Sequence, residues 1–229
     1  MSEALRALRE PLREPLREPQ DKPQGPLKDE PVDLPIVSSD VAFDGKVWDI
    51  RRETFTLGEG DITREFMDHT GAVAVLALDD EGLACLIRQY RHPIRAREWE
   101  LPAGLMDVTG ESPLIGAQRE LAEEVDLVAE QWNVLVDFQT SPGGSNEALR
   151  IYLARGLSDA DEVFDRTEEE AELEKTWVSL DDIVDAVLAR DVQNSILVIG
   201  ALAALAARER GWATLAPADA PWPRHPLSR

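Results

Sequence analysis

Hydrophobic and polar residues alternate over residues 41–57 and again over residues 62–68, with Gly58-Glu59-Gly60-Asp61 between them. That alternation predicts two paired strands joined by a turn. A second pair is predicted at residues 71–78 and 83–90, around the polar stretch Asp79-Asp80-Glu81-Gly82. The period then changes. After the loop Pro102-Ala103-Gly104, the apolar residues Leu114, Ala117, Leu121 and Val125 recur at helical spacing, which predicts a helix over residues 114–125. Strands follow at 132–140, 148–157 and 175–180, and helices at 181–189 and 195–208, with Asp181 and Ser195 near their starts. Strands and few helices in this order predict an α/β fold, a mixed sheet covered by helices.

The two ends read differently. Residues 8–19 are LREPLREPLREP, with proline at every fourth position. Proline at that spacing prevents a continuous helix, and the stretch has too few large apolar groups for a core. Residues 1–38 are therefore expected to be a disordered tail, residues 39–210 one domain, and residues 211–229 an irregular tail rich in proline and alanine.

Charge narrows the partners. The chain has 229 residues, with 24 Lys and Arg against 45 Asp and Glu, a net charge of −21. Such an acidic chain repels nucleic-acid backbones and anionic membranes, so neither is an expected partner. A polyanionic small substrate would need bridging cations. The single cysteine, Cys85, lies in an apolar run and is expected in the core. The N-terminus lacks the apolar region of a secretory signal, and the longest apolar run, residues 196–207, is too short to span a bilayer. A cytoplasmic protein is the expectation.

The densest chemistry lies in GLMDVTGESPLIGAQRELAEEVDL, residues 104–127. On the predicted helix, Glu120, Glu123 and Glu124 project away from the apolar stripe, and Glu120 and Glu124 stand one turn apart. Like charges at that spacing destabilise a helix by a few tenths of a kcal/mol, roughly 0.2–0.5. A cation is one compensation, and oxygen ligands suit Mg²⁺ or Mn²⁺. A solvated acidic face is the competing reading.

The register of the segment decides between them. It reads G-x6-E-x7-R-E-L-x-E-E-x-D-L and resembles the signature of the Nudix hydrolases, G-x5-E-x7-R-E-U-x-E-E-x-G-U with U aliphatic. Glu111, Arg119, Glu120, Leu121, Glu123, Glu124 and Leu127 are in register. One extra residue lies between Gly104 and Glu111, and Asp126 stands where the family has glycine.

The resemblance implies an α/β/α sandwich with a mixed sheet. It implies divalent ions, Mg²⁺ or Mn²⁺, held by Glu120 and Glu124 with the carbonyl of Ala103, and with Glu123 in a catalytic or supporting role. Arg119 would orient the helix carboxylates through Glu111.

Glu100-Leu101-Pro102-Ala103-Gly104, Gln89-Tyr90-Arg91 and Pro142, which lies 15 residues past Leu127, are similar to the ADP-ribose pyrophosphatase branch. That branch carries a catalytic glutamate on a loop before the last strand. Here nine acidic residues lie within residues 159–174, and Glu170 is the best match, with Glu169 next. The implied reaction is hydrolysis of ADP-ribose to AMP and ribose 5-phosphate. Trp48, Arg51, Arg52 and Arg91 are the candidate substrate contacts. The resemblance also implies a homodimer built through the N-terminal antiparallel strands. Two alternatives are another nucleoside diphosphate sugar as substrate, or a catalytically silent ADP-ribose-binding module; the retained Glu120, Glu123 and Glu124 argue against the second.

Overall fold

Ala72–Ala77, AVAVLA, is apolar at every position and buried along its whole length. A strand covered on both faces needs a layer on each side, and the rest of the fold supplies them. The computed structural model describes residues 25–161 and 173–226. Residues 25–35 contain no helix or strand, and the chain from Ile36 onward forms a separate compact unit.

That unit contains the strands β1 (Ile36–Phe43), β2 (Asp49–Leu57), β3 (Gly60–Asp68), β4 (Ala72–Ala77), β5 (Leu83–Arg91), β6 (Ala96–Glu100) and β7 (Ala103–Leu105). Helix α1 (Pro113–Val125) follows, then β8 (Leu127–Gln139), β9 (Ala148–Asp159) and β10 (Glu174–Ser179), the helices α2 (Leu180–Ala189) and α3 (Ser195–Arg208), and the short β11 (Ala216–Pro217).

The central sheet has the order β11-β8-β9-β4-β7, with β4 parallel to β9 and the other pairs antiparallel. The two faces of β4 divide the core by its period of two. Ala72, Ala74 and Leu76 pack with Ile183 and Val184 of α2 and Leu197 and Ala201 of α3. Val73, Val75 and Ala77 pack with Ala117, Leu121 and Val125 of α1. The result is the expected α/β/α arrangement. Cys85 lies in the second of these layers, and burial pushes its thiol up to about 12, which keeps it protonated.

Several strand assignments differ from the sequence pattern. The polar turn at residues 79–82 forms, with the Leu83 N–H donating to the Asp79 carboxylate at 2.7 Å. Its two strands then diverge instead of forming a hairpin. β4 enters the central sheet, while β5 joins β10 and β6 in a sheet of its own. Residues 41–57 do not form one strand; the chain reverses after Phe43, and β1 runs antiparallel to β2. β1 also begins at Ile36, inside the stretch assigned to the tail, because every residue of β1 is exposed and leaves no buried face to signal a strand. β6 and β7 were not expected.

The segment after Arg210 was read as an irregular tail. It carries β11, which pairs with β8 at Val134 and Asn133, and it buries Trp222 and His225. Its anchor is Arg150 on β9, only 2% exposed. Nε and Nη2 of Arg150 donate to the two Asp137 carboxylate oxygens at 2.7 and 2.8 Å. Nη1 donates to the Ala220 carbonyl at 2.7 Å and Nη2 to the Pro221 carbonyl at 3.1 Å. The guanidinium also lies 4.8 Å from the Trp222 ring centroid. A buried cation with a bidentate partner is costly to orphan. Asp137→Ala is expected to lower stability by about 3 kcal/mol, the low end for breaking a buried pair because Asp137 is itself 36% exposed. Urea unfolding measures it, and a loss below about 1 kcal/mol would place the pair in the surface class.

Candidate active site

The acidic helix is capped at both ends by residues outside its apolar stripe. Ser112 is the N-cap, its Oγ accepting from the Ile115 N–H at 3.3 Å, and Pro113 follows in the first turn. Asp126 ends the helix at φ 56° and ψ 40°, with its N–H bonded back to Ala122. That is the left-handed conformation that glycine would take without strain, and aspartate is among the few other residues that adopt it. α1 has no basic residue in its last turn. The cation comes instead from β10, where Lys175 Nζ donates to the Val125 carbonyl at 2.7 Å.

With the stripe of Ala117, Leu121 and Val125 packed on the sheet, the acidic flank is not a solvated face. Glu120 is 9% and Glu124 6% exposed. Arg119 lies among the carboxylates. It donates to both oxygens of Glu111 at 3.0 and 3.1 Å, to Glu120 Oε1 at 2.7 Å and to Glu123 Oε2 at 2.9 Å. The hydrogen bond to Glu111 is the main reason the guanidinium is pushed above its ordinary pKa, and the same contact holds Glu111 below the usual carboxylate range.

β7 runs beneath these carboxylates. The Ala103 N–H donates to Glu124 Oε2 at 2.8 Å, so the contact seen at Ala103 is through its amide N–H. A Cβ at Gly104 would fall 1.9 Å from Glu120 Oε1 and 2.0 Å from its Cδ. The Glu120 carboxylate thus occupies the volume a side chain would fill. Among the described residues, no three His, Cys, Asp or Glu side chains converge to hold a metal by themselves. Two buried carboxylates over a glycine suit Mg²⁺ or Mn²⁺ nonetheless, because such ions commonly take one or two carboxylates and complete their shell with water and substrate phosphate.

A cleft of about 520 Å³ opens beside β7, lined among others by Trp48, His69, Arg91, Glu100, Ala103 and Gly104. The structure therefore brings Trp48 and Arg91 together with the backbone of Ala103 and Gly104. Trp48 stacks on His69 with ring centroids 4.1 Å apart and 18° between planes. Arg91 holds Glu100 through two hydrogen bonds of 2.9 and 2.7 Å.

Arg51 and Arg52 do not line this cleft. Arg51 pairs with Asp68 and Ser39, and Arg52 with Glu65 across β2 and β3. Glu169 and Glu170 lie outside the described residues.

Glu100, His69 and Glu147 were not singled out from the sequence. Glu100 is 1% exposed and is also reached by Gln89 Nε2 at 3.2 Å; its place before Leu-Pro-Ala-Gly was its only signal. The His69 Nδ1 accepts from the Gly71 N–H at 2.9 Å, and Nε2 lies 3.3 Å from Glu147. An isolated histidine ahead of an apolar strand gives no such indication.

Comparisons with known proteins identify the family. Residues 68–197 match the NUDIX domain family. The chain is 42% identical over 197 residues to the ADP-ribose pyrophosphatase of Mycobacterium tuberculosis, covering 86% of this chain and 94% of that protein. It is 36% identical over 160 residues to the ADP-ribose pyrophosphatase of Bacillus subtilis, covering 69% and 85%. A solved structure described as an ADP compounds hydrolase superposes with a TM-score of 0.66 at 21% identity, covering 80% of this chain and 99% of that one. The chain belongs to the Nudix hydrolase family, whose members cleave pyrophosphate bonds.

Burial lowers the pKa of both His69 and His225 from the ordinary 6.5, although Glu147 acts in the opposite direction on His69. The native state holds these rings neutral, whereas the unfolded chain protonates them as pH falls through 6.5. Stability is therefore retained above that value and lost progressively below it, down to the depressed native values. Thermal melts from about pH 7.5 to about pH 5.5 are expected to show a falling midpoint, with a shallower fall in His69→Gln. A midpoint flat across that window would remove the neutral-ring assignment.

Proposed function

We propose that this chain hydrolyses the pyrophosphate of ADP-ribose to AMP and ribose 5-phosphate, using Mg²⁺ or Mn²⁺. The observation that carries the proposal is the pair of buried α1 carboxylates set against β7, Glu120 over Gly104 and Glu124 on the Ala103 N–H, beside an open cleft. Arg119 pairs there with Glu111, Glu120 and Glu123. The naming of two relatives as ADP-ribose pyrophosphatases supports the choice of substrate.

Glu120 and Glu124 are the metal-holding residues, with the backbone of Ala103 completing the set. When bound, a divalent cation neutralises pyrophosphate charge and acidifies water. Glu123 supports the set, while Arg119 fixes Glu120 and Glu123 through its pairing with Glu111. Arg91 supplies positive charge at the cleft for a substrate phosphate, and Trp48, held flat against His69, offers an aromatic face for the adenine. Glu170, or Glu169 beside it, takes the proton from the attacking water. The exposed Ile36, Val37, Val41 and Phe43 of β1 support a homodimer through the N-terminal sheet. Arg51 and Arg52 then serve that sheet through their ion pairs.

Glu120→Gln and Glu124→Gln are each expected to lower turnover by about a hundredfold or more, equivalent to about 3 kcal/mol, with the fold retained. Near-native turnover in either would remove the metal assignment. Glu170→Gln is expected to lower turnover with Mn²⁺ binding intact; if turnover is unchanged, the role passes to Glu169. Gly104→Ala displaces the Glu120 carboxylate and is expected to raise the Mg²⁺ concentration for half-activation while the melting midpoint barely moves.

The substrate test is AMP release from ADP-ribose against a panel of nucleoside diphosphate sugars, with and without EDTA. A preference of about tenfold, or 1.4 kcal/mol, for GDP-mannose would change the substrate. Chelator-insensitive AMP release would overturn the metal dependence.

A further inference from the structure

The C-terminal residues 216–226 are held to the central sheet by the pairing of β11 with β8 and by side chains of β8 and β9. Asn133 Nδ2 donates to the Ala216 carbonyl at 3.3 Å, and the Tyr152 hydroxyl to that of Ala218 at 3.3 Å. Arg150 donates to Ala220 and Pro221, as described above. Trp222 then joins the same core layer as Met106 and Leu121, and its ring lies 4.5 Å from that of His225. This ordered path delivers His225, 5% exposed, to one backbone position. A Cβ at Gly71 would fall 2.2 Å from His225 Nε2 and 2.9 Å from Cδ2. The imidazole therefore rests against the bare Cα of Gly71, and it is hydrogen-bonded to the Thr70 backbone. Gly71 has φ +85°, so a side chain there is excluded by conformation as well as by space.

Gly71 is the node between the two halves of the candidate site. Its carbonyl accepts from the Met106 N–H at 3.0 Å. That bond adjoins the ladder in which Ala72, Val73 and Ala74 pair with Leu105, Gly104 and Ala103. Its N–H donates to His69 Nδ1 at 2.9 Å, fixing the ring on which Trp48 stacks. Gly71 is thus joined by backbone bonds to β7, which carries Gly104 under the Glu120 carboxylate, and to the aromatic wall of the cleft. In the pairing of β4 with β7, a one-residue slip would turn each side chain to the opposite face.

We propose that residues 216–226 form a strap that positions the active site, with His225 as the positioning residue acting through Gly71 on β7 and on His69. The inference rests on the reading of β7 and α1 as the metal-holding elements, and it adds a part of the chain that lies beyond the matched NUDIX region. His225 touches neither substrate nor metal in this scheme. Its effect is to hold the backbone beneath Glu120 and Glu124 in register.

The test is Mn²⁺ binding to the full chain by electron paramagnetic resonance, together with ADP-ribose kinetics and urea unfolding, in His225→Gln, His225→Ala and His225→Phe. His225→Gln keeps a hydrogen-bonding group but removes the ring from Gly71. It and His225→Ala are expected to weaken Mn²⁺ binding about fivefold and to lower kcat about tenfold with little change in KM, the result of a small misplacement of catalytic groups. His225→Phe restores a ring against Gly71 and is expected to recover most of the Mn²⁺ affinity.

Should His225→Ala not fold, the His225→Gln and His225→Phe pair carries the same comparison. Mn²⁺ affinity and kcat within twofold of the native protein in His225→Gln, even with a lowered unfolding midpoint, would overturn the proposal and leave the strap as a stabiliser only. A native chain that binds Mn²⁺ but releases no AMP, with Mn²⁺ affinity still lost in His225→Gln, would sink the ADP-ribose reading and leave the strap standing.

Discussion

The structure depends on holding surplus negative charge where water is scarce. Glu120, Glu123 and Glu124 of α1, with Glu111 just ahead of the helix, gather beside a stripe that is anchored in the core, and Glu120 and Glu124 are buried. Desolvated carboxylates repel one another and are costly without compensation. Arg119 offsets part of the repulsion by touching three of them at once, and the Ala103 N–H offsets more at Glu124. An apolar stripe locks the helix down and fixes these carboxylates in place.

Holding that helix in place requires the sheet beneath it to be fixed on both faces. β4 does this because it is apolar throughout: its odd residues secure α1 and its even residues secure α2 and α3. β4 and β5 part company after a well-formed turn because both edges of β4 are taken by other strands, β9 along Ala72 through Ala77 and β7 at Ala72 through Ala74. The turn chemistry at Asp79 and Gly82 is local, whereas the sheet that each strand enters is decided by distant partners.

That division separates what was legible in the sequence from what was not. The acidic helix was read nearly to the residue, since Leu114, Ala117, Leu121 and Val125 carry its period and the spacing of Glu111, Arg119, Glu120 and Glu124 is local. The sandwich class followed from the order of elements. β7 escaped because a three-residue strand has no period of its own, and it exists only as the partner of β4. The C-terminal segment escaped for a similar reason. Its many alanines and prolines carry no pattern, and its order is imposed by Arg150, Tyr152 and Asn133 from other strands. Among the substrate candidates, Trp48 and Arg91 reach the cleft, while Arg51 and Arg52 are engaged by Asp68 and Glu65. Arginine on a strand signals charge, but only the fold shows which carboxylate already holds it.

The departure at Asp126 tests how closely a family pattern must be kept. Its left-handed backbone shows what glycine does at that position: it ends the helix without strain. Aspartate reaches the same conformation at a cost of about 1 kcal/mol and adds a negative charge at the negative end of the helix dipole. Two contacts at the same place act against that cost. Lys175 puts an ammonium on the Val125 carbonyl, and the Asp126 carbonyl itself accepts from the Ala160 N–H at 3.0 Å. The helix end is thereby tied to the end of β9 and the start of β10, and it holds its geometry without the glycine. What the pattern specifies at that position is a conformation, and glycine is only its least costly solution.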